Sequence, residues 1–350
     1  MRMQLLYFQG FLPRFISRRL HVAGQVLNML SSLISRASSR WGHKSKKEAK
    51  QKPRLVLSVE PLEGRLLPAT FTWTNAVGNG LWDEPGNWTV AGTAQTTAYP
   101  GNNGGANTTG DSAVLTGNSN VLLSLPITLS NLQLQNNYNG VFSLLSTLTV
   151  SGGGQLAGGS IRQRTVFNSG SLVLTGGDFF WSGGSINPNN AAGKGTLTVS
   201  GGSLFCQQTR AVSSTLGSDL IVGGSGNVSF GNIDAIALEN GANISNAGVI
   251  LITESPGGLV VTPGHAMGLF SNTGSISKIA ASGGGRYDIG MPLSTSGSVT
   301  LSNGSLSFVG FTGGGSPGTG YSVNQTAGTF SLGTGTQLNV ALPDNAYVRP

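Results

Sequence analysis

Through most of the chain, apolar and polar residues alternate in short runs that end in glycine. Leu148 and Val150 are separated by Thr149, and Leu172 and Leu174 by Val173. Leu197 and Val199, Val228 and Phe230, and Leu306 and Phe308 repeat the pattern. A period of two is that of a β-strand with one buried face. Ser and Thr in the intervening positions suit a pleated face open to water. Gly-Gly and Asn-Gly between the runs supply the positive φ of tight turns.

The runs recur at a fixed distance. Ser146-Thr-Leu148-Thr-Val150-Ser-Gly152-Gly153 returns as Gly170-Ser-Leu172-Val-Leu174-Thr-Gly176-Gly177, and again as Gly195-Thr-Leu197-Thr-Val199-Ser-Gly201-Gly202. The two steps are 24 and 25 residues. Gly158-Gly-Ser-Ile161 returns as Gly183-Gly-Ser-Ile186. A second marker joins an apolar residue, an Asn and a Gly: Phe167-Asn168-Ser-Gly170, Ile244-Ser-Asn246-Ala-Gly248 and Phe270-Ser-Asn272-Thr-Gly274. Gly304-Ser-Leu306-Ser-Phe308 and Gly328-Thr-Phe330-Ser-Leu332 lie 24 apart. A repeat of two or three short strands with no helical period predicts one coil of a parallel β-solenoid. The fold class expected is therefore all-β, a single-stranded parallel β-helix with coils of about 24 residues, eight or nine of them in residues 140–350. Residues 69–139 are expected to form an aromatic capping segment with the first strands. The Leu-x-x-Leu-x-Leu pattern of leucine-rich repeats is not present, and the period is too short for a propeller blade.

Composition agrees. Gly makes up 55 of 350 residues and charged residues only 9%. The net charge of +7 is unevenly placed. Residues 1–70 carry 13 Lys or Arg against 3 Glu, and residues 71–350 carry 7 Lys or Arg against 10 Asp or Glu, so the first part stands at +10 and the rest at −3. A body this poor in cations cannot neutralise many phosphates, which argues against nucleic acid as a partner. No body segment has the length of apolar sequence that a membrane-spanning helix needs.

Residues 1–68 read as an export leader and linker, partly helical or disordered. Arg14, Arg18 and Arg19 precede an uncharged stretch from Leu20 to Ser35, the order of an export signal. The apolar positions of that stretch also fit an amphipathic helix. The leader's charge and spacing match nothing in a neutral strand stack, so it is not expected to pack on the solenoid. The segment Leu62-Glu63-Gly-Arg65-Leu66-Leu67 follows Glu60-Pro61. It resembles the short Leu-Glu-x-Arg-Leu-Leu segment of secreted, repeat-rich planctomycete proteins. The resemblance implies an address, extracellular or at the surface of a bacterial cell, and no chemistry.

The head of the body is rich in aromatics: Phe71, Trp73, Trp82, Trp88 and Tyr99, with Asn87 before Trp88 and Asp111 before the next strand. This resembles the opening segment of bacterial surface proteins with autotransporter-type β-strand repeats. That resemblance implies tryptophans bracketing a turn and an Asp preceding the first strand. Large aromatics can close the open end of a solenoid core with few residues. The competing reading is a glycan site at Trp82, Asn87 and Trp88, with outward Phe180 of Phe179-Phe180-Trp181 as a further candidate.

Catalytic and metal motifs are few. His265 is the one histidine outside the leader, so neither a His-based metal site nor a Ser-His-Asp triad is expected. Gly314-Gly-Ser316-Pro-Gly318 matches Gly-x-Ser-x-Gly but lies in a loop composition rather than at a strand-to-helix elbow. Gly223-Gly-Ser-Gly-Asn-Val228 has Val where a calcium nonapeptide needs Asp. No phosphate loop, cofactor or metal is expected. Carboxylates of the body are isolated in sequence; a polysaccharide lyase or hydrolase would have to draw on Asp219, Asp234 and Glu239. Cys206, the only cysteine, has no disulfide partner. Aligning Gly170–Trp181 on Gly195–Cys206 stacks Phe179 over Leu204 and Trp181 over Cys206, which predicts a buried thiol. The expected function is that of a secreted or cell-surface solenoid with a structural or adhesive role and no catalysis. Extracellular glycans or other surface proteins are the partners considered. The alternatives are the carbohydrate-active enzyme and the glycan-binding module.

Overall fold

In the computed structural model, the described residues are 68–350 except 91–96, 103–109, 164–169, 189–193, 208–213, 232–234, 254–256, 280–284, 310–322, 326–328, 334–335 and 342–350. The expected leader, residues 1–68, lies outside them but for Pro68. The body is a parallel β-solenoid. Successive strands are dealt in turn to three sheets, of 12, 10 and 9 strands. One coil, for example, takes Asp178–Trp181 to the first sheet, Ser185–Ile186 to the second and Thr196–Val199 to the third. The pairing is parallel throughout except where Thr70–Trp73 meets Trp88–Val90 in an antiparallel pair at the N-terminal edge. Ladder hydrogen bonds therefore run along the stack, which is how coils that bury little alone become stable together.

Register follows the repeats on the third sheet. Leu148, Leu172, Leu197 and Leu220 stand in one inward row, with Val150, Leu174, Val199 and Val222 beside them. Ile161 and Ile186 pair on the second sheet. On the first, Phe179 pairs with Leu204 and Trp181 with Cys206, as the alignment requires. Inward residues of the three sheets form one continuous core. Coil length varies around the expected value: Ser203 neighbours Asn227, 24 residues on, whereas Ser112 neighbours Asn131 after 19 and Ser298 neighbours Thr329 after 31.

One expected pairing is corrected. Leu306 and Phe330 do not stack despite their 24-residue separation. Leu306 belongs to the second sheet and pairs with Leu338, while Phe330 belongs to the first and pairs with Val299. All three sheets carry the same apolar alternation, so spacing alone does not say which sheet a strand joins. The long segment between Val309 and Val323 lengthens this coil.

The turn from third to first sheet explains the glycines. A side chain on Gly274 would collide with the carbonyl of Gly248, and one on Gly297 with the carbonyl of Gly274. Backbones at this corner approach too closely for a Cβ. Gly202 additionally has φ +69°, a left-handed turn conformation.

The aromatic head is part of the stack rather than an appendage. Thr70–Trp73 already pairs in parallel with Ser112–Leu115 in the first sheet. The single helical element among the described residues is the three-residue 3-10 turn Pro85–Asn87, so no helix there is long and apolar enough to cross a membrane.

Candidate functional site

Four places hold the residues with chemical potential. The first is the aromatic head. Trp82 and Trp88 are buried, and Asn87 is fully so. The Trp82 ring meets Trp88 edge-on at 4.6 Å and stacks on Phe142 of the second sheet at 5.3 Å. Trp73 closes the other side of Trp88 at 4.9 Å. Both indole N–H groups donate to carbonyls, Trp82 to Pro100 at 3.1 Å and Trp88 to Trp82 at 2.7 Å. Asn87 holds the loop above it. Its Nδ2 donates to Asn79 and to the Leu81 carbonyl, and its Oδ1 accepts from the Val77 N–H. Asp111 accepts from the N–H groups of Ala69 and Gly101, tying the entering chain to the first coil. No indole face is left open to stack on a sugar. The geometry is that of a plug over the end of the core, and the glycan candidates Trp82, Asn87 and Trp88 are its parts.

The second place is the corner from second to third sheet, where Asp219 and Glu239 lie on consecutive coils. Asp219 accepts from the backbone N–H and the side-chain Nδ2 of Asn243 on the next coil, at 2.8 and 3.1 Å. Lys194 on the preceding coil faces it at 3.5 Å and also donates to the Gly241 carbonyl. Glu239 is buried. Its backbone bonds to the coil before it, through the Leu216 carbonyl, and to Ala242. Asp234, the third acid considered, lies outside the described residues. Around this corner, Gln163 donates to the Thr196 carbonyl and accepts from Ser218, and Asn187 donates to the Gly217 carbonyl. The Asn240 N–H donates to Nδ1 of His265 at 3.3 Å. These groups join coil to coil. Among the described residues, no three of His, Cys, Asp and Glu gather closely enough to hold a metal ion. Elsewhere, Asp288 pairs with Arg286 of its own strand, and Asp178 is exposed on the first sheet.

The third place is the interior. On the third sheet the Asn-Gly marker becomes a buried ladder. Asn246 donates to Asn272 Oδ1 at 2.7 Å, and Asn272 donates to Thr295 Oγ1 at 2.9 Å. Asn246 Oδ1 also accepts from the Gly248 N–H and so braces the turn that follows it. On the first sheet, Cys206 is buried as expected, and burial pushes its thiol pKa up. Two coils beyond Phe230 in the same inward row stands Lys278, also fully buried. Its Nζ has no hydrogen-bond partner among the described residues, and desolvation lowers its pKa. Tyr287 of the same coil occupies the position that Gly257 leaves without a side chain on the coil before. Its ring reaches Phe230 at 6.3 Å. Burial first, and then a Coulombic contribution from Cys206, raise its phenol pKa. The sequence signal for Lys278 was present: it stands two residues after inward Ile276.

The fourth place is the outer face of the first sheet. Phe180 points outward, as alternation requires, and is 41% exposed. It stacks on Phe205 of the next coil, with ring centroids 5.2 Å apart and planes 16° from parallel. The 25-residue step that aligns Trp181 with Cys206 also aligns these two rings, so Phe205 was within reach of the sequence.

Comparison of the chain with protein-family models, curated proteins and solved structures finds no match to any of the three.

Proposed function

We propose that this chain is an exported, non-catalytic β-solenoid with a structural or adhesive role at the bacterial cell surface. The observation that carries the reading is how the acids of the polar corner are held. Asp219 bonds across coils to Asn243 and Lys194, and buried Glu239 lies in the same ladder of coil-to-coil contacts. A lyase or hydrolase would instead need two carboxylates facing one open groove. A rigid stack with repeated outer faces offers a long, regular binding surface. The basic leader, the uncharged stretch after it and the resemblance of Leu62–Leu67 to planctomycete export-linked segments support the address.

The test is twofold. Fractionation of cells expressing the full chain is expected to recover it outside the cytoplasm. Incubation of residues 69–350 with neutral and acidic polysaccharides is expected to release no reducing ends or unsaturated products. Turnover of any of them would replace this reading with the enzyme.

A further inference from the structure

We propose that the outer face of the first sheet around Phe180 and Phe205 is a binding site for a neutral polysaccharide; this rests on the adhesive reading above and gives it a location. The two rings form an offset stack on neighbouring coils, an arrangement that leaves part of each ring face clear. Beyond Phe205 the outward row continues with Ser229 and then Leu251. Ser229 is only 7% exposed although it stands in the outward row between Phe205 and Leu251. Beside it, Asn227 Oδ1 is buried with no hydrogen-bond partner among the described residues. Gln155 lies next to Phe180 on the other side. An exposed aromatic pair flanked by the half-buried amide residues Gln155 and Asn227 matches a pyranose ring, whose C–H face packs on an aromatic while its hydroxyls need hydrogen bonds.

Charge selects the occupant. From Ser112 to Ser331 the outward positions of this sheet carry Ser, Thr, Asn, Gln, Val, Leu, Phe and Gly, with Asp178 the one charged residue among those described. Such a surface offers no cation to a nucleic acid or an acidic polysaccharide. Coils repeat every ~4.8 Å, so a linear chain running along the stack would meet Gln155, Phe180, Phe205 and the groups beyond them in turn.

The experiment is affinity electrophoresis and pull-down of the full chain with cellulose, xylan, galactomannan and starch, with alginate as the acidic control. Binding to at least one neutral polymer and none to alginate is expected. F180A/F205A should weaken that binding at least about tenfold while leaving the thermal midpoint near that of the parent, and F180Y/F205Y should restore it. Equal binding by parent and F180A/F205A would overturn the location and leave the adhesive reading standing. Failure of the parent to bind any of the four polymers would overturn the proposal; attachment of cells displaying the full chain then judges the adhesive reading separately. A collapse of the midpoint in F180A/F205A with binding per folded molecule unchanged would show the rings to be a structural ladder.

Discussion

The N-terminal coils and the coils from Ile244 onward are stacked by the same strand pattern but filled by different chemistry. At the N-terminal end, Phe71, Trp73 and Trp82 meet Trp88 edge to face, Trp82 stacks on Phe142, and the indole N–H groups of Trp82 and Trp88 are bonded to carbonyls. That end is closed by apolar volume. Farther along, Asn246, Asn272 and Thr295 run through the interior, and Lys278 replaces an aliphatic residue between Ile252 and Leu301. A solenoid tolerates the Asn and Thr side chains because neighbouring coils place equivalent positions side by side, so Asn246, Asn272 and Thr295 find one another within hydrogen-bond reach, whereas Lys278 stands between aliphatic neighbours. An amide ladder can then do along the stack what leucines do elsewhere.

The largest change is expected at the plug. Trp82→Ala removes a fully buried indole from its ring contacts with Trp88 and Phe142 and should cost about 3–5 kcal/mol in denaturant unfolding of the chain. A loss below about 1 kcal/mol, the range of surface changes, would mean that the head is dispensable to the stack. Next comes the ladder. Asn272→Ala removes one buried partner each from the Asn246 amide and the Thr295 hydroxyl, at a cost of about 1–3 kcal/mol. Asn272→Leu in combination with Asn246→Leu should be milder than the sum of the two single changes, because both ends of one bond are then removed. Strict additivity would break the contrast between the two regions.

Cys206 lies in the interior between them. Thiol reagents should label it slowly in the folded protein and fast after unfolding. Cys206→Ser should cost about 1–3 kcal/mol, the penalty for a buried hydroxyl without a partner. Rapid labelling of the native protein would place the thiol at the surface and the coil register in error.

Lys278 sharpens the comparison through pH. Its folded pKa is lowered, so the unfolded chain binds the proton more readily. Stability should therefore rise as pH rises from the depressed value toward 10.5, the ordinary lysine value, and be lowest below that window. Cys206 and Tyr287 have raised values and act with the opposite sign, but only above their ordinary 9.0 and 10.0, so the slope is read below pH 9.0. Lys278→Met should flatten it and make the protein more stable near neutrality. An unchanged slope would show that the amine is not buried in solution.

Much of this fold was legible because alternation and a 24-residue step are backbone properties that side-chain identity cannot hide. Trp181 over Cys206 followed from counting alone. The pairing of Leu306 with Leu338 did not, because three sheets share one pattern and an intervening segment stretches the coil. The Asn-Gly marker was visible, but not that Asn246 and Asn272 turn inward and bond each other; a polar residue at a strand end reads as a turn until its neighbour on the next coil is known. For the same reason Trp82 and Asn87 read in sequence as a cap with a sugar site as the competing reading, and their burial is what the sequence could not give.

The proposed function rests on Asp219 joining coils rather than serving a reaction centre, and Asp219→Ala tests it most directly. Thermal or denaturant unfolding of the variant should show a loss of about 1–2 kcal/mol, because Asn243 and Lys194 lose their partner across the coils. No polysaccharide-cleaving activity should be present in the parent to be lost. An unchanged midpoint, together with cleavage by the parent that the substitution abolishes, would contradict it.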